Sequence, residues 1–340
     1  MLALFFFFIA LACAYPNRGP CTGDCWTHDP SMIQRKSDGK YFRFATGTGV
    51  NTMTSYSVKG PWTDVGSALP NGSSITVSGV SSSDIWVCLP HYIYQNSTNI
   101  NLQAPDVHYQ NDQYYMYYVL SQIGTQNSEI GVATSKTMEP GSWTDHGSVG
   151  IPANSEYNRI DPNWIEIDGK NYLNFGSFWQ DIHQIEMETP LKVGSSAAYQ
   201  LSYNATLNHR EEGSFMFKYG DYYYLLYSDG IAGRYTATYP AQGEEYHIMV
   251  CRSSTGTGGF VDKDGIACTN TGGSLLLASH GQVYGPGGQG VVDDKDLGLV
   301  MYYHYYPLAT KEAGGKGNAG YMYSWNELGW ENGWPYVKAT

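Results

Sequence analysis

The sequence predicts an all-β protein with the fold of a five-bladed β-propeller, and three observations support this prediction. The chain of 340 residues contains 30 Tyr, 9 Trp and 40 Gly but only 15% charged residues, a composition typical of strands and tight turns. No apolar periodicity of 3.6 residues extends beyond a turn or two. A two-part pattern of strands recurs five times, so the repeats predict five blades around a channel.

The first half of each repeat is a pair of strands joined by a tight turn. The clearest copy spans residues 211–228, with aromatic runs on both sides of Tyr219-Gly220-Asp221. The other four copies open at Asp29, Asp106, Asp161 and Gly288. Four of the five repeats therefore begin with a carboxylate. Repeat symmetry should bring matching positions to one level of the channel.

The second half of each repeat supplies two outer strands. It ends near a Gly-aromatic motif in four copies, for example residues 258–262 of the fourth repeat. The third copy is shorter and keeps residues 182–186 followed by residues 191–193. Each unit then holds about four strands. A β-sandwich of similar strand number is the alternative, but it does not explain the ordered two-part repeat.

Residues 1–14 predict a cleaved secretory signal, which leaves residues 15–340 as a single propeller domain. The segment is apolar, too short to span a bilayer, and ends in the small-x-small pattern Ala12-Cys13-Ala14. A buried strand is the alternative. Sequons at Asn71, Asn96 and Asn204 agree with a secreted, extracellular glycoprotein.

Five cysteines remain after removal of Cys13, so at least one cannot pair within the chain. Cys251 and Cys268 flank a Gly-rich turn and are the expected disulfide. A bond from Cys88 to Cys21 or Cys25 is a second prediction. A four-cysteine zinc site is the alternative, although the spacings lack paired C-x2-C units.

The charge of the chain excludes several partners. A net charge of −12 argues against nucleic acid and anionic membranes, and no long apolar segment follows residue 14. No G-x-S-x-G motif is present to support a serine nucleophile.

Three of the acidic repeat openings share a local pattern. Asp29, Asp161 and Glu212 each precede a turn residue, a polar residue and two apolar residues. Clustered carboxylates ringed by Trp and Tyr suit glycoside hydrolysis, in which one carboxylic acid protonates the leaving oxygen and another carboxylate acts on the opposite side. A third carboxylate can raise the pKa of the acid by like-charge repulsion. A calcium site and simple turn capping are the alternatives.

Glu211 and Glu212 cannot both face the channel, because consecutive side chains of a strand point to opposite faces. The repeat pattern starts from Glu212, so we expect Glu211 to point away and to pair with Arg210 or another blade.

Six motifs in this order resemble glycoside hydrolase family 43 and are most similar to its secreted fungal endo-α-1,5-L-arabinanases. They are His28-Asp29-Pro30, Ala104-Pro105-Asp106-Val107, Asn158-x-Ile160-Asp161-Pro162, Gly176-Ser177-Phe178-Trp179, Glu212-Gly213-Ser214-Phe215 and Gly285-Pro286-Gly287. The resemblance covers nearly all of residues 15–340. It implies a five-bladed propeller that cleaves internal arabinan bonds with inversion.

The resemblance also implies roles for individual residues. Asp29 corresponds to the general base, Asp161 to the acid that modulates pKa and orientation, and Glu212 to the general acid. The candidate substrate-binding residues are Asn158, Ser177, Trp179 and Asp106. Asp106 is expected to be structural or part of a sugar subsite, since its repeat is shorter than the others.

One departure from the family concerns a metal. Many members have His after the Gly-Pro-Gly motif, where it helps to hold an ion in the channel, but Gly288 stands here. We therefore expect no required cofactor, and a channel ion such as calcium would need water or other residues. His28 could contribute a ligand, or it could support Asp29 instead.

Three functions remain open at this point. The first is an endo-arabinanase, and the second is an exo-acting arabinofuranosidase or β-xylosidase on the same scaffold. The third is a non-catalytic sugar-binding propeller, which the complete set of acids disfavours. No further domain follows the fifth blade, which favours an open groove and internal cleavage. We expect a monomer that binds arabinan or arabino-oligosaccharides.

Overall fold

Five antiparallel sheets surround a central channel in the computed structural model, which describes residues 15–78, 100–122, 124–206, 210–232, 239–308 and 320–338. The five-bladed propeller is thereby confirmed. No helix in the described part of the chain is long and apolar enough to cross a membrane. The predicted signal segment, Cys88 and Asn96 lie outside the described residues.

The strands of each blade follow one another in sequence from the channel outward. Blade one contains β1 (Ser31–Gln34), β2 (Tyr41–Ala45), β3 (Asn51–Ser55) and β4 (Thr63–Ser67). Blade two contains β5 (Ile100–Gln110), β6 (Gln113–Gln122), β7 (Ser128–Ser135) and β8 (Thr144–Ser148). Blade three contains β9 (Asn163–Ile167), β10 (Lys170–Phe175), β11 (Ile182–Thr189) and β12 (Lys192–Val193), and β13 (Tyr199–Ser202) also pairs with β11.

The last two blades have the same arrangement. Blade four contains β14 (Glu212–Tyr219), β15 (Tyr222–Asp229), β16 (His247–Ser253) and β17 (Ser274–Leu277). Blade five contains β18 (Val283–Asp294), β19 (Gly298–Pro307), β20 (Met322–Glu331) and β21 (Trp334–Val337). The inner strands β1, β5, β9, β14 and β18 contact their neighbours around the ring, so they line the channel.

The aromatic second strand of each blade is apolar on both faces because each blade is packed between two others. In β15, Tyr223 and Leu225 belong to the core shared with blade three. Tyr224 and Leu226 belong to the core shared with blade five. A strand buried on both faces reads as a continuous apolar run rather than an alternating one.

Hydrogen bonds tie each inner strand to the next blade. Backbone N–H groups of Val107, Trp164 and Met216 donate to Ser31 Oγ (3.0 Å), Asp106 Oδ2 (2.9 Å) and Asn163 Oδ1 (2.7 Å). Gln289 Nε2 donates to Gly213 O at 2.7 Å, which joins blades five and four. Asp29 N donates to His304 Nδ1 at 3.0 Å, which joins blades one and five.

The N-terminal segment, residues 17–27, closes the ring against the last blade. Gly19 N donates to Trp325 O at 2.7 Å, and Tyr323 N donates to Cys25 O at 2.7 Å. The guanidinium of Arg43, which is fully buried in blade one, donates to Asp24 O at 2.8 Å. It also lies 4.6 Å from the ring centre of Tyr323. First and last blades are therefore held together through this segment.

The disulfides confirm one cysteine prediction and correct another. Cys251 is bonded to Cys268, as expected. Cys21 is bonded to Cys25, so the predicted pairing of either residue with Cys88 is wrong. Gly23 has a φ of 77°, which turns the chain so that the two cysteine Cα atoms approach to 6.0 Å. These four cysteines are thus not available as a zinc site.

Two strands differ from the expectation. The outer strand of blade four is β17, whereas the predicted residues 258–262 contribute only isolated bridges from Val261 to Arg252 and Ala267. These residues lie in the loop that the Cys251–Cys268 disulfide closes, and the ladder on β16 is completed after that loop, by β17. Strand β13 was not predicted. It pairs with β11 beside the short β12.

The sequons differ in accessibility. Asn71 is exposed at the surface. Asn204 is only 8% exposed, and its Nδ2 donates to Asp229 Oδ2 at 3.1 Å. Glycan transfer requires a free amide nitrogen, so the folded protein offers Asn71 and not Asn204.

Candidate active site

Three acids gather at one end of the channel, and we call Asp29, Asp161 and Glu212 the channel acids. Asp29 and Asp161 each lie two residues before an inner strand, and Glu212 is the first residue of β14. Gly213 N, next to Glu212, donates to Asp161 Oδ2 at 3.0 Å. A small open cavity is lined by Asp29, Asp161 and Gly213, the neighbour of Glu212, and by residues of all five blades.

Two of these acids have an uncommon backbone conformation. Asp29 has a φ of 46° and Asp161 a φ of 54°, and each precedes a proline. Positive φ is uncommon for residues other than glycine, and a following proline restricts the backbone further. Such residues persist only where their surroundings hold them, and they concentrate at functional sites. The repeat thus uses a strained Asp-Pro corner to aim a carboxylate into the channel.

Blade two has the same corner without an acid. Ala104 has a φ of 43° and precedes Pro105, so Ala104 and not Asp106 occupies the position of the channel acids. The expectation that four repeats open with a carboxylate is therefore wrong for this blade. The shared X-Pro pair was the signal that could have shown it.

Asp106 lies two residues further along the inner strand. Its Oδ2 accepts a hydrogen bond from Trp164 N at 2.9 Å, and its Oδ1 accepts one from Asn163 Nδ2 at 3.2 Å. Burial raises the pKa of Asp106 to about 6, although these hydrogen bonds oppose the shift. Its contacts connect blades two and three, and it also lines the cavity.

A β-bulge places Glu212 among the channel acids. Glu212 pairs with Ser228 but Phe215 pairs with Leu226, so β14 contains one extra residue at Gly213, whose φ is 60°. Bulges of this kind re-aim a side chain beside a site. The residues after the bulge are offset by one from the expected repeat alignment.

Glu211 points to the other side of β14, as expected from the alternation. It is 1% exposed, and its Oε2 accepts a hydrogen bond from Ser202 Oγ at 2.5 Å. Ser202 lies on β13 of blade three, so the contact is to another blade rather than to Arg210. Glu211 N donates to Asp181 Oδ1 at 3.3 Å.

Asp29 is surrounded by groups that favour its ionised form. His28 Nδ1 lies 3.0 Å from Asp29 Oδ2, and Thr46 Oγ1 donates to the same oxygen at 2.8 Å. Burial raises the pKa of Asp29, but the contacts with His28 and Thr46 outweigh it, and that pKa lies well below its usual range. The Asp29 side chain is 25% exposed, so water can reach it.

Glu212 and Asp161 shift in the opposite direction. Burial raises the pKa of Glu212 and the charge of Asp29 adds to this, while hydrogen bonds from Ser177 Oγ (2.7 Å) and Tyr246 OH (3.0 Å) oppose it. Burial and the charges of Glu212 and Asp29 raise the pKa of Asp161 well above its usual value. Neighbouring buried carboxyls with raised pKa values retain a shared proton.

The predicted sugar-binding residues fall into two groups. Ser177 is 3% exposed and donates to Glu212, and Asn158 is 5% exposed and accepts from Ser128 Oγ at 2.5 Å. Both therefore make internal contacts. Trp179 is half-buried on the loop that follows Ser177, beside Phe178, which is 36% exposed. Both aromatic residues have positive φ, at 55° and 58°.

Metal ligation is limited by contacts that already exist. Among the described residues, His28, Asp29 and His304 form the group with ligand atoms near enough to share an ion. His28 Nδ1 contacts the Asp29 carboxylate and His304 Nδ1 accepts the Asp29 N–H, so these two Nδ1 atoms already have partners. Gly288 supplies no side chain. An ion bound through the two Nδ1 atoms would compete with the contacts that hold Asp29.

Four residues of the site were missed from the sequence. Thr46 could have been found, because it lies opposite Asp29 across the first hairpin. Tyr246, His304 and Asp181 had no such signal, since each comes from another strand or loop.

Comparisons with known proteins agree with this geometry. The model of the family described as glycosyl hydrolases family 43 matches residues 26–335. A relative from Aspergillus clavatus, named probable arabinan endo-1,5-alpha-L-arabinosidase C, is 55% identical over 337 residues and covers 98% of each chain.

Solved structures with a similar backbone include one described as an endo-acting enzyme and one described as an exo-acting enzyme. One described as a GH43 endo-arabinanase from Bacillus licheniformis has a TM-score of 0.76 at 26% identity, covering 94% of this chain and 100% of that one. One described as an exo-1,5-alpha-L-arabinanase from a bovine ruminal metagenomic library has a TM-score of 0.73 at 26% identity, covering 93% and 99%. The backbone alone does not separate the two modes.

Proposed function

Because the chain belongs to glycosyl hydrolase family 43, we propose that it is an endo-1,5-α-L-arabinanase that hydrolyses internal bonds of arabinan. The name of the relative from Aspergillus clavatus supports this activity. A neutral furanose chain also suits a protein of net charge −12, which would repel an acidic polygalacturonan.

The channel acids divide the chemistry between them. Glu212 is the general acid and protonates the leaving glycosidic oxygen, and Asp29 is the general base that takes a proton from the attacking water. Asp161 accepts the Gly213 N–H at 3.0 Å, which fixes the backbone next to Glu212, and the charge of Glu212 raises the pKa of Asp161, so the two carboxyls compete for a proton.

One contrast carries this proposal: His28 and Thr46 contact the Asp29 carboxylate and lower its pKa, whereas Glu212 accepts hydrogen bonds from the hydroxyls of Ser177 and Tyr246 and burial raises its pKa. Titratable groups whose surroundings push their pKa values apart mark the base and the acid of a site. A sugar-binding propeller needs aromatic platforms but has no use for this division.

Inversion requires a water molecule between the base and the sugar. The carboxyl groups of Asp29 and Glu212 should therefore lie roughly 6.5–9.5 Å apart when substrate is bound, whereas roughly 5 Å would suit a retaining enzyme. Proton NMR of the first product anomer distinguishes the two mechanisms.

The mode of cleavage is tested on linear arabinan. An endo-acting enzyme lowers the viscosity of the solution before monosaccharide accumulates, and its early products are oligosaccharides of mixed length. Release of arabinose alone from the first minutes would contradict the proposal and favour the exo-acting alternative. Glu212→Gln serves as the inactive control, and polygalacturonan as the uncleaved substrate.

We propose that the reaction needs no metal cofactor, and this is our first quantitative prediction. Gly288 offers no ligand side chain, and the Nδ1 atoms of His28 and His304 already contact Asp29. Protein dialysed against EDTA should retain most of its kcat on arabinan. An inactive dialysed protein that recovers with calcium would contradict it.

We also propose that residues 15–340 form one secreted domain. The apolar run of residues 1–14 and the two disulfides support this, because disulfides persist in oxidising compartments. N-terminal sequencing of the mature protein should begin at Tyr15, and size-exclusion chromatography should report a monomer.

A further inference from the structure

We propose that His304 is a positioning residue for Asp29 and that residue 288 is glycine because His304 occupies the space beside it. This inference rests on the proposed function, in which Asp29 is the base. It adds a residue of β19, a strand that contributes none of the channel acids.

The first observation is a hydrogen bond to the backbone of Asp29. His304 is 1% exposed, and its Nδ1 accepts the Asp29 N–H at 3.0 Å. The same Nδ1 lies 3.6 Å from Asp29 Oδ1. An Nδ1 that accepts a proton donor carries no proton itself, so the imidazole is neutral with its proton on Nε2. Burial, with the charge of His28, lowers the pKa of His304 to about 3, which agrees with a neutral ring.

This hydrogen bond acts where the backbone most needs support. Asp29 has a φ of 46° and precedes Pro30, a conformation that is strained for a residue with a side chain. A buried backbone N–H also requires an acceptor. The carbonyl of the same peptide, His28 O, accepts the Thr46 N–H at 2.9 Å. His304 and Thr46 thus hold the strained corner from its two sides, and His304 is the side-chain acceptor of the Asp29 N–H.

The second observation is the position of the ring between the partners of two acids. The His304 ring is stacked on His28, with centres 4.8 Å apart and planes at 21°. On another side it is stacked on Tyr246, with centres 5.9 Å apart and planes at 10°. His28 contacts Asp29, and Tyr246 donates to Glu212. The His304 ring therefore lies between the partner of Asp29 and the partner of Glu212, and it helps to fix the distance between these two acids.

The third observation explains the glycine. A Cβ added at Gly288 would lie 2.7 Å from His304 Nδ1 and 3.2 Å from Asp29 Cα. Gly288 also has a φ of 55°, which a side chain would strain. Any larger residue at 288 would push the imidazole off the Asp29 N–H. Gly288 and His304 thus act as a pair.

Two variants separate hydrogen bonding from packing. His304→Asn keeps an acceptor near the position of Nδ1 but loses the ring, and His304→Phe keeps the stacked ring but loses the acceptor. Because a displacement of about 1 Å costs about 100-fold in rate, we expect kcat on arabinan to fall about 100-fold in His304→Phe with KM little changed. His304→Asn should retain more activity than His304→Phe. Thermal unfolding of both variants controls for loss of the fold.

A double-mutant cycle tests the pair. Gly288→Ala should lower kcat in the wild-type background and have much less effect in His304→Ala, where no ring remains to displace. Equal effects in both backgrounds would overturn the role given to Gly288. A His304→Phe variant as active as the wild type, or more active than His304→Asn, would overturn the role given to His304.

A measurement independent of activity separates this inference from the proposed function. Hydrogen exchange of the Asp29 amide, followed by NMR, should be faster in His304→Phe than in the wild type. Unchanged exchange overturns the positioning role even if arabinan is the substrate. Faster exchange supports that role even if the wild type does not cleave arabinan, or if Asp29→Asn remains active and Asp29 is therefore not the base.

Discussion

Two clusters of three acids lie on opposite sides of β14, and they behave differently. Of the channel acids, Asp29 and Asp161 line the cavity, and Glu212 lies next to Gly213, which also lines it. The buried acids, Asp181, Glu211 and Asp229, lie behind the strand and are each at most 3% exposed. Glu212, the first residue of β14, and Glu211, which directly precedes it, thus belong to different clusters.

The surroundings of the two clusters differ in kind. The buried acids accept hydrogen bonds from backbone N–H groups and from Asn204, whose N and Nδ2 donate to Asp181 and Asp229. Burial raises the pKa of Asp181 to about 7 and the pKa of Glu211 well above its usual value. Among the channel acids, the Asp29 carboxylate is in contact with the imidazole of His28, and its pKa is lowered. Grouped carboxylates therefore become a candidate catalytic site where their pKa values diverge and water has access.

The largest expected effect comes from exchanging the two glutamates for glutamine. Glu212→Gln cannot donate a proton to the leaving oxygen, so kcat on linear arabinan should fall by roughly 10²–10⁴-fold with the fold retained. Glu211→Gln is the matched control and should change kcat little. The reverse result, measured by reducing-end release, would show that the clusters have been assigned the wrong way round.

A smaller effect is expected where the clusters meet. Asp181 accepts hydrogen bonds from both Glu211 N and Asn204 N, and an amide would turn a donor toward one of them. Asp181→Asn should therefore lower stability by about 1–3 kcal/mol and reduce kcat, since the backbone before Glu212 loses its acceptor. Urea unfolding and initial rates measure the two losses.

The control for this variant touches the same asparagine. Asp229→Asn keeps an oxygen for Asn204 Nδ2 and has no described contact with the Glu211 backbone. It should lower stability without the loss of kcat. A loss of kcat as large as that of Asp181→Asn would mean that the buried acids act on the site as one unit.

A shift in pH dependence should come next in size. Activity needs protonated Glu212, so the rate falls on the alkaline side as this carboxyl ionises. Tyr246 OH stabilises the ionised form and lowers the pKa of Glu212, against the effect of burial. Tyr246→Phe should therefore raise that pKa and move the alkaline limb of kcat to higher pH. Ser177→Ala should act in the same direction, and a movement to lower pH would contradict the assignment.

The smallest expected effect concerns stability and the buried acids. The folded-state pKa of Glu211 is raised, chiefly by burial, so the native protein binds this proton more tightly than the unfolded chain does. Its contribution to stability is present at low pH and is lost as pH rises above the ordinary value. Glu211→Gln cannot ionise, so its Tm should match the wild type at pH 4 and exceed it at pH 8. A Tm difference independent of pH would contradict this.

The sequence predicted those features that repeat within the chain. The spacing of the hairpins predicted the blades, and strand alternation separated Glu212 from Glu211. The repeat pattern aligned Asp106 with the channel acids, whereas the X-Pro corner of this blade lies two residues earlier, at Ala104-Pro105. The bulge at Gly213 could not be predicted either. Ser214, which follows it, matches the polar position of the repeat pattern, so the sequence shows no interruption there.

Contacts between blades could not be predicted in the same way. Tyr246 and His304 reach the channel acids only because the ring of blades closes, and no local pattern records that approach. The same applies to Ser202, which meets Glu211 from a strand that the repeat does not contain. The disulfide between Cys21 and Cys25, which are four positions apart in sequence, likewise depends on a turn at Gly23 rather than on spacing alone.

Closure of the ring by the N-terminal segment has a consequence for the order of folding. Asn326 Nδ2 donates to Asn17 O at 2.9 Å across 309 positions of sequence, and Trp325 Nε1 donates to Pro20 O across 305. During synthesis the first blade therefore waits for its final neighbour until β20 has left the ribosome. Contacts of such long sequence separation slow folding, because the entropy of the whole loop is lost before they form. In the meantime Arg43 lacks Tyr323, one of the two rings that its guanidinium contacts, so the edge of blade one stays open until synthesis is almost complete.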